Sequence, residues 1–327
     1  MIIETVQKQT VLAALALANR APSVHNSQPW RWQLTDHTVQ LYADLRRWLP
    51  ATDPDGRDLL LSCGAALHHL TVALAAVDVR TVVHRLPNPD EQDHLAAIEL
   101  RPGPSAEADL ALVSAIERRR TDRRRFSDWP VPEAFLAALT RNAAEHGVVL
   151  RQVSEPAVRR LLKAAIAAAA AQAADPDYLD EIALWSGRHG SYDGIPAANA
   201  PSATDDEAVL PMRQWAHGEL PQPSARGEDG AVVLVLGTSS DDRLSQLRAG
   251  EAASAVLLHC TDMGLASSVL SQPLEVPATR RLVRDRVVDG TVCPQLLIRV
   301  GWPPSGTGEV PQTPRRPVVE TVEHVPR

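Results

Sequence analysis

Two glycines sit where helix-forming sequence offers them no local reason to be. Gly64 lies inside the apolar run from about Arg57 to Val77, and Gly250 inside the run from about Leu244 to Met263; both runs read as long helices. A glycine in a helix interior costs about 1 kcal/mol relative to alanine. What offsets that cost is the close approach a missing Cβ permits, so close packing between helices is expected at both positions. The flanking sequences echo each other: Leu59-Leu60-Leu61-Ser62-Cys63-Gly64-Ala65-Ala66-Leu67 against Leu244-Ser245-Gln246-Leu247-Arg248-Ala249-Gly250-Glu251-Ala252. On these residues alone the echo marks either two related halves or a coincidence in an alanine-rich chain.

The 327 residues can bury a substantial core, as one large domain or two smaller ones. A formal net charge of −7 argues against bulk electrostatic binding to nucleic acid or anionic membrane. No window reads as an uninterrupted apolar span for a bilayer, and no basic-then-apolar leader precedes the first helix. Cys63, Cys260 and Cys293 are odd in number and lack metal-type spacing, which suits thiols of a reducing cytoplasm. The expected location is cytoplasmic.

Along the chain a first helix (about Glu4 to Asn19) ends before Pro22, and a hairpin follows at Trp30 to Gln33 and Val39 to Tyr42. After the Gly64 helix come strands near Thr81 to Arg85 and Leu95 to Arg101. A Pro/Gly/Ser break at Arg101 to Glu107 separates a first unit, 1–107, from a second, 108–327. The second unit holds helices at Ala108 to Arg119, from Pro132 to a Gly147 cap, and at Pro156 to Ala174, with a strand at Val148 to Val153. The stretch 187–230 is rich in Gly, Pro, Ser and Asp, and carries Tyr192 and Trp215. A connection that long is usually a functional lid or a disordered linker. Beyond it lie a strand (Ala231 to Leu236), the Gly250 helix, a short strand (Ala266 to Leu270), a helix near Val276 to Asp285 and a final strand (Gln295 to Val300).

Three segments carry chemistry. Ala21-Pro22-Ser23-Val24-His25-Asn26-Ser27-Gln28-Pro29-Trp30 is a polar loop stiffened by two prolines, and Ser23, Asn26 and Gln28 offer hydrogen bonds to a neutral heterocycle. Taken alone, it is more often a capped helix followed by an ordinary turn. Arg118 to Arg125 holds six arginines in eight residues, more than Glu117 and Asp122 can neutralise. Guanidinium forks suit a phosphate, with Thr121 adding a hydroxyl; a solvated charged face is the alternative, and a nucleic-acid contact a third. Pro314-Arg315-Arg316-Pro317 holds two arginines in extended chain or is simply a polar tail.

The first segment resembles, nearly letter for letter, the APSxxNxQPW motif of the nitroreductase superfamily. Arg119-Arg120-Thr121-Asp122-Arg123 resembles its RRSxR phosphate motif, and Arg315-Arg316 its C-terminal basic residues. Gly250-Glu251-Ala252 with Met263-Gly264-Leu265 resembles its central helix. The motif order is reversed from the usual one, each motif occurs once, and the arrangement is closely similar to Acg-type nitroreductases. Phe126 also falls one residue late, which leaves the contact of Arg123 open.

The resemblance implies an α+β nitroreductase-like fold, a mixed β-sheet flanked by helices, built as two related halves that form a pseudo-dimer within one monomeric chain. It implies FMN held without a covalent bond. Arg119, Arg120, Thr121 and Arg123 would hold the phosphate and ribityl end, helped by Arg315 or Arg316. Pro22, Ser23, Asn26 and Gln28 would line the flavin from the other half, and Ser271 and Gln272 lie in the segment facing flavin N5. No side-chain acid or base and no metal is required. The implied function is NAD(P)H-dependent reduction of a nitroaromatic or quinone. The rival is a protein that stores FMN beneath a lid, the segment 187–230 with Tyr192, Trp215 and neighbouring Trp185, and does not turn over.

Overall fold

The computed structural model describes residues 8–35, 38–188, 190–202, 210, 213–215, 217–223 and 228–324. Helix α1 (Lys8–Ala18) leads into β1 (Trp30–Leu34) and β2 (Thr38–Ala43), then α2 (Arg57–Ala75), β3 (Val79–Arg85) and β4 (His94–Pro102). Next come α3 (Glu107–Arg118), α4 (Glu133–Glu145), β5 (Val149–Gln152), α5 (Glu155–Ala173), α6 (Pro176–Trp185) and a small pair, β6 (Ser186–Arg188) and β7 (Ile195–Pro196). The last part holds β8 (Val232–Thr238), α7 (Arg243–Asp262), β9 (Ala266–Leu270), α8 (Gln272–Glu275), α9 (Pro277–Arg286), β10 (Cys293–Gly301), α10 (Val318–Thr321) and β11 (Val322–His324). The N-terminal part of the first expected helix, Glu4 to Gln7, lies outside the described residues.

The α+β class is as expected, and the strands divide into two main sheets. One is mixed, in the order β11-β1-β2-β4-β3, with β11 parallel to β1 and the other pairs antiparallel. The other is antiparallel, in the order β5-β8-β10-β9. The C-terminal segment therefore returns to the sheet that begins the chain. Asn19 fastens it there. Its Nδ2 donates to Thr321 Oγ1 at 2.8 Å, and its Oδ1 accepts from the indoles of Trp30 (2.9 Å) and Trp32 (3.1 Å).

Helices α2 and α7 cross at the centre. In α2 every residue but Thr71 is buried, which is why the helix is apolar all round rather than amphipathic. It is long and apolar enough to cross a bilayer, but 94% of its apolar stretch is buried inside the protein. The two glycines meet at the crossing. A Cβ on Gly64 would stand 2.1 Å from Leu247 O, and one on Gly250 would stand 2.1 Å from Leu61 O. The contact is reciprocal, glycine against glycine, as close packing between the two helices requires.

Candidate flavin-type cleft

The polar loop after α1 is bound at both ends and in the middle. Ser23 Oγ accepts from Gln28 N (2.9 Å), and Ser62 Oγ on α2 accepts from Val24 N (3.1 Å). Asn26 Nδ2 donates to Gly194 O (3.0 Å) and Pro314 O (3.2 Å). Gln28 Nε2 donates to Tyr192 O (2.8 Å), while Gln28 Oε1 accepts from Arg316 N (2.8 Å). These bonds hold His25, Asn26 and Gln28 at φ of 47°, 55° and 51°. Non-glycine residues in that region each cost about 1–3 kcal/mol and concentrate at functional sites.

The loop forms one wall of an open cleft. The α2–α7 crossing supplies an apolar surface, Leu61, Ala65, Ala253 and Leu257. Pro22, Ser23 and His25 stand on one side, and Ser271, Gln272 and Pro273 after β9 on another. Thr121 and Arg123 enter from the arginine run, and Leu210, Arg213 and Trp215 from the long connection. Polar groups here lack partners among the described residues. His25 is 5% exposed, yet both its ring nitrogens are unpaired, as is Trp215 Nε1. The two rings meet edge to face at 5.2 Å. Burial, then the charges of Arg213 and Arg123, hold the His25 pKa well below the usual histidine range. His25 is thus a neutral imidazole near pH 7.

Beside the cleft lies a small recess lined by Arg20, Arg119, Arg120, Gln312, Thr313 and Arg315. Arg119 Nη1 reaches Thr121 Oγ1 at 3.3 Å, which joins the recess to the cleft. The four guanidiniums bond backbone carbonyls, that hydroxyl and, from Arg20, the side-chain amide oxygen of Gln312. Arg20 and Arg120 both donate to Glu117 O, and Arg315 donates to Ala21 O and Arg20 O. None makes a salt bridge among the described residues, and Arg119 Nε and Arg20 Nε are buried without partners. Burial and the mutual repulsion of these cations push Arg315 down to about 9 and Arg119 down to about 10. Buried cations normally come paired. A set of four that share a recess without a carboxylate is complementary to a dianion.

The expected site residues thus divide. Pro22, Ser23, Thr121, Arg123, Ser271 and Gln272 line the cleft, and Arg119, Arg120 and Arg315 line the recess. Asn26, Gln28 and Arg316 line neither. Asn26 and Gln28 tie the loop down, and Arg316 donates to Gln28 O (3.3 Å) and Glu320 O (2.8 Å). Tyr192 is 58% exposed and does not line the cleft, and Trp185 stacks with Arg47. Arg20, His25 and Arg213 were not among the expected site residues. Arg20 and His25 were within or beside the recognised loop; Arg213 had no signal, because it stands in irregular chain. Arg213 is held by Glu275 and by the Tyr178 hydroxyl, and it stacks on Trp215 with Arg123 on the same ring.

No protein-family model matches the chain. It is 48% identical over 317 residues, 96% of its length and 91% of the relative's, to a Mycobacterium tuberculosis protein provisionally named NAD(P)H nitroreductase. It is 38% identical over 322 residues, 98% and 97% of the two lengths, to the M. tuberculosis protein Acg, which carries the same provisional name. Among solved structures, the FMN-dependent nitroreductase NfnB of Mycobacterium smegmatis in complex with NADPH aligns at 18% identity with a TM-score of 0.42, over 66% of this chain and 99% of that one. A nitroreductase of Bacteroides fragilis with bound FMN aligns at 15% identity and a TM-score of 0.40, over 62% and 93%.

Proposed function

We propose, from the premise that the chain belongs to the nitroreductase family, that it is an FMN-dependent oxidoreductase taking reducing equivalents from NAD(P)H and passing them to a nitroaromatic or quinone. The observation that carries this reading is the carboxylate-free recess of Arg20, Arg119, Arg120 and Arg315 at the end of an apolar cleft. A phosphate monoester suits the charge of the first, and a planar ring system the apolar walls of the second. Bound FMN would supply the redox chemistry.

The chain's own residues bind and orient. Arg119, Arg120 and Arg315, with Arg20, would hold the phosphate, and Thr121 the ribityl chain next to it. Pro22, Ser23, Ser271 and Gln272 would border the ring. Arg123, whose Nη1 donates to Asn199 O at 3.0 Å, would face the ring with its guanidinium. Asn26, Gln28 and Arg316 act one step away by fixing the loop that presents Pro22 and Ser23.

The same reading takes the chain as a monomeric pseudo-dimer of two halves, 1–107 and 108–327, with FMN between them and 187–230 inserted in the second. Leu210, Arg213 and Trp215 border the cleft from that insertion, so it would act as a lid that limits access. Two enzyme forms test this together: intact protein loaded with FMN, and Trp215→Ala. Each is mixed anaerobically with NADH or NADPH while the oxidised flavin absorbance is followed, and a quinone is then added. The reading expects bleaching in both forms, faster in Trp215→Ala, and recovery of colour with quinone. Equal rates would remove the gating role. Bleaching by dithionite but by neither nicotinamide in either form would remove the reductase.

A further inference from the structure

A second, open cleft lies on the other side of the α2 N-terminus, between the loop Thr52 to Arg57 and helix α9. None of the residues assigned to the flavin-type site lines it. Its inner end is polar and buried: Thr52 is 0% exposed, Arg57 3% and Asp53 4%. Arg57 turns Nε and Nη2 toward Asp58 Oδ1, at 3.2 and 2.8 Å, and its Nη1 has no partner among the described residues. Thr52 Oγ1 is likewise buried and unpartnered. Asp53 accepts from Asp58 N (3.0 Å) and Leu59 N (2.8 Å), one bond per oxygen, which leaves acceptor capacity on both.

The outer end is cationic. Arg281 and Arg284 both line the cleft, are exposed, and form no ion pair among the described residues. Three residues apart on α9, they share a face. The remaining carboxylates do not oppose them equally. Asp241 is engaged by both Nη atoms of Arg280, at 2.8 and 2.7 Å, and Glu275 by Arg213 and by Ser271 Oγ. Among the described residues, Asp55 is exposed at the rim and forms no ion pair.

A buried end that mixes a hydroxyl, a carboxylate and one free guanidinium nitrogen suits alcohol groups, which both donate and accept. Two adjacent guanidiniums suit a phosphate. We propose that this second cleft binds a phosphorylated polyhydroxyl molecule, a sugar phosphate or a nucleoside monophosphate, with hydroxyls on Thr52, Asp53 and Arg57 and the phosphate on Arg281 and Arg284. The proposal does not depend on the flavin reading, because it uses separate residues.

The test uses full-length protein saturated with FMN, so that the arginine recess is filled, and titration calorimetry with ribose 5-phosphate, AMP, ribose and inorganic phosphate. Saturable binding of ribose 5-phosphate or AMP is expected, with whichever binds more tightly identifying the ligand class. Ribose and inorganic phosphate should each bind at least about tenfold more weakly, and Arg281→Ala/Arg284→Ala should weaken the phosphorylated probe at least about tenfold. Both arginines are exposed, so this variant should keep its fold and its flavin. The proposal is overturned if neither phosphorylated probe binds saturably, if the double variant binds unchanged, or if inorganic phosphate binds as tightly as the sugar phosphate. Should the protein hold no FMN, the same titrations on the flavin-free chain decide this proposal separately.

Discussion

Arg315 and Arg316 are adjacent, chemically identical and differently employed. Arg315 turns into the recess with Arg119, whereas Arg316 turns toward Gln28 O and Glu320 O. The sequence showed two arginines between prolines and could not say which would face the phosphate, because the direction of each depends on partners far away in the chain. The same limit applied to Asn26 and Gln28. Their motif positions were legible, but left-handed φ values at His25, Asn26 and Gln28 aim the amides at Gly194 O and Tyr192 O instead of into the cleft. The expected contrast is sharp. Arg315→Ala should weaken FMN about tenfold to a hundredfold, as loss of a charged hydrogen bond of about 1.5–3 kcal/mol requires, and leave riboflavin affinity unchanged. Arg316→Ala should lower the unfolding temperature and leave FMN affinity within about threefold. Equilibrium titrations with the two flavins check both, and an equal loss in the two variants would contradict the assignment.

The buried histidines make a second prediction at this scale. Burial lowers the pKa of His25 and His69 well below the usual value and that of His68 to about 3. Below the unfolded pKa the unfolded chain binds these three protons and the folded chain does not, so their contribution is fully present above about pH 6.5 and is lost as pH falls. Asp53 acts the other way, since burial and then the neighbouring charge of Asp58 push it up to about 7. Its folded form keeps a proton that the unfolded form releases, which offsets one of the three. Stability should therefore fall as pH drops from 6 to 4.5, with His146 and His259, also shifted down, adding to the loss. Urea unfolding across that range measures it; a flat profile would mean that the histidines titrate normally.

At the scale of elements, the long helices were legible because apolar runs bounded by turn residues admit few alternatives. The strands near Ala266 and Gln295 were legible for the same reason. What the pattern could not reveal was pairing over long sequence distance. Strand β11 is three residues long and exists as a strand only because β1 lies beside it. Helix α6, which ends just before the irregular stretch, was not among the expected helices, although Asp175 caps it and Pro176 opens it. The glycines are the exception, local signals of a distant contact. Gly64→Ala should destabilise by at least about 1–3 kcal/mol, the usual cost of overpacking, because the new methyl would meet the backbone oxygen of Leu247 and no rotamer can relieve it. Gly147→Ala, at φ of 73° but in open space, should cost only about 1 kcal/mol. Thermal unfolding of the pair separates crowding from backbone strain; equal effects would mean that α2 and α7 do not meet at Gly64.

At the scale of the whole molecule, the account rests on one cleft bordered by segments from distant parts of the chain: the loop after α1, the arginine run, the turn after β9 and the long connection. Each of the two recognised motifs occurs once, and the recess at Arg119 and Arg315 gathers four guanidiniums. The most direct measurement is the flavin content of the purified full-length protein. Flavin is released by heat, identified by chromatography and quantified against protein, with Arg119→Ala alongside. The account predicts FMN at close to one per chain in the wild type, and little retained by the variant after dialysis. FAD in place of FMN, a ratio near two, or full FMN retention by Arg119→Ala would contradict it.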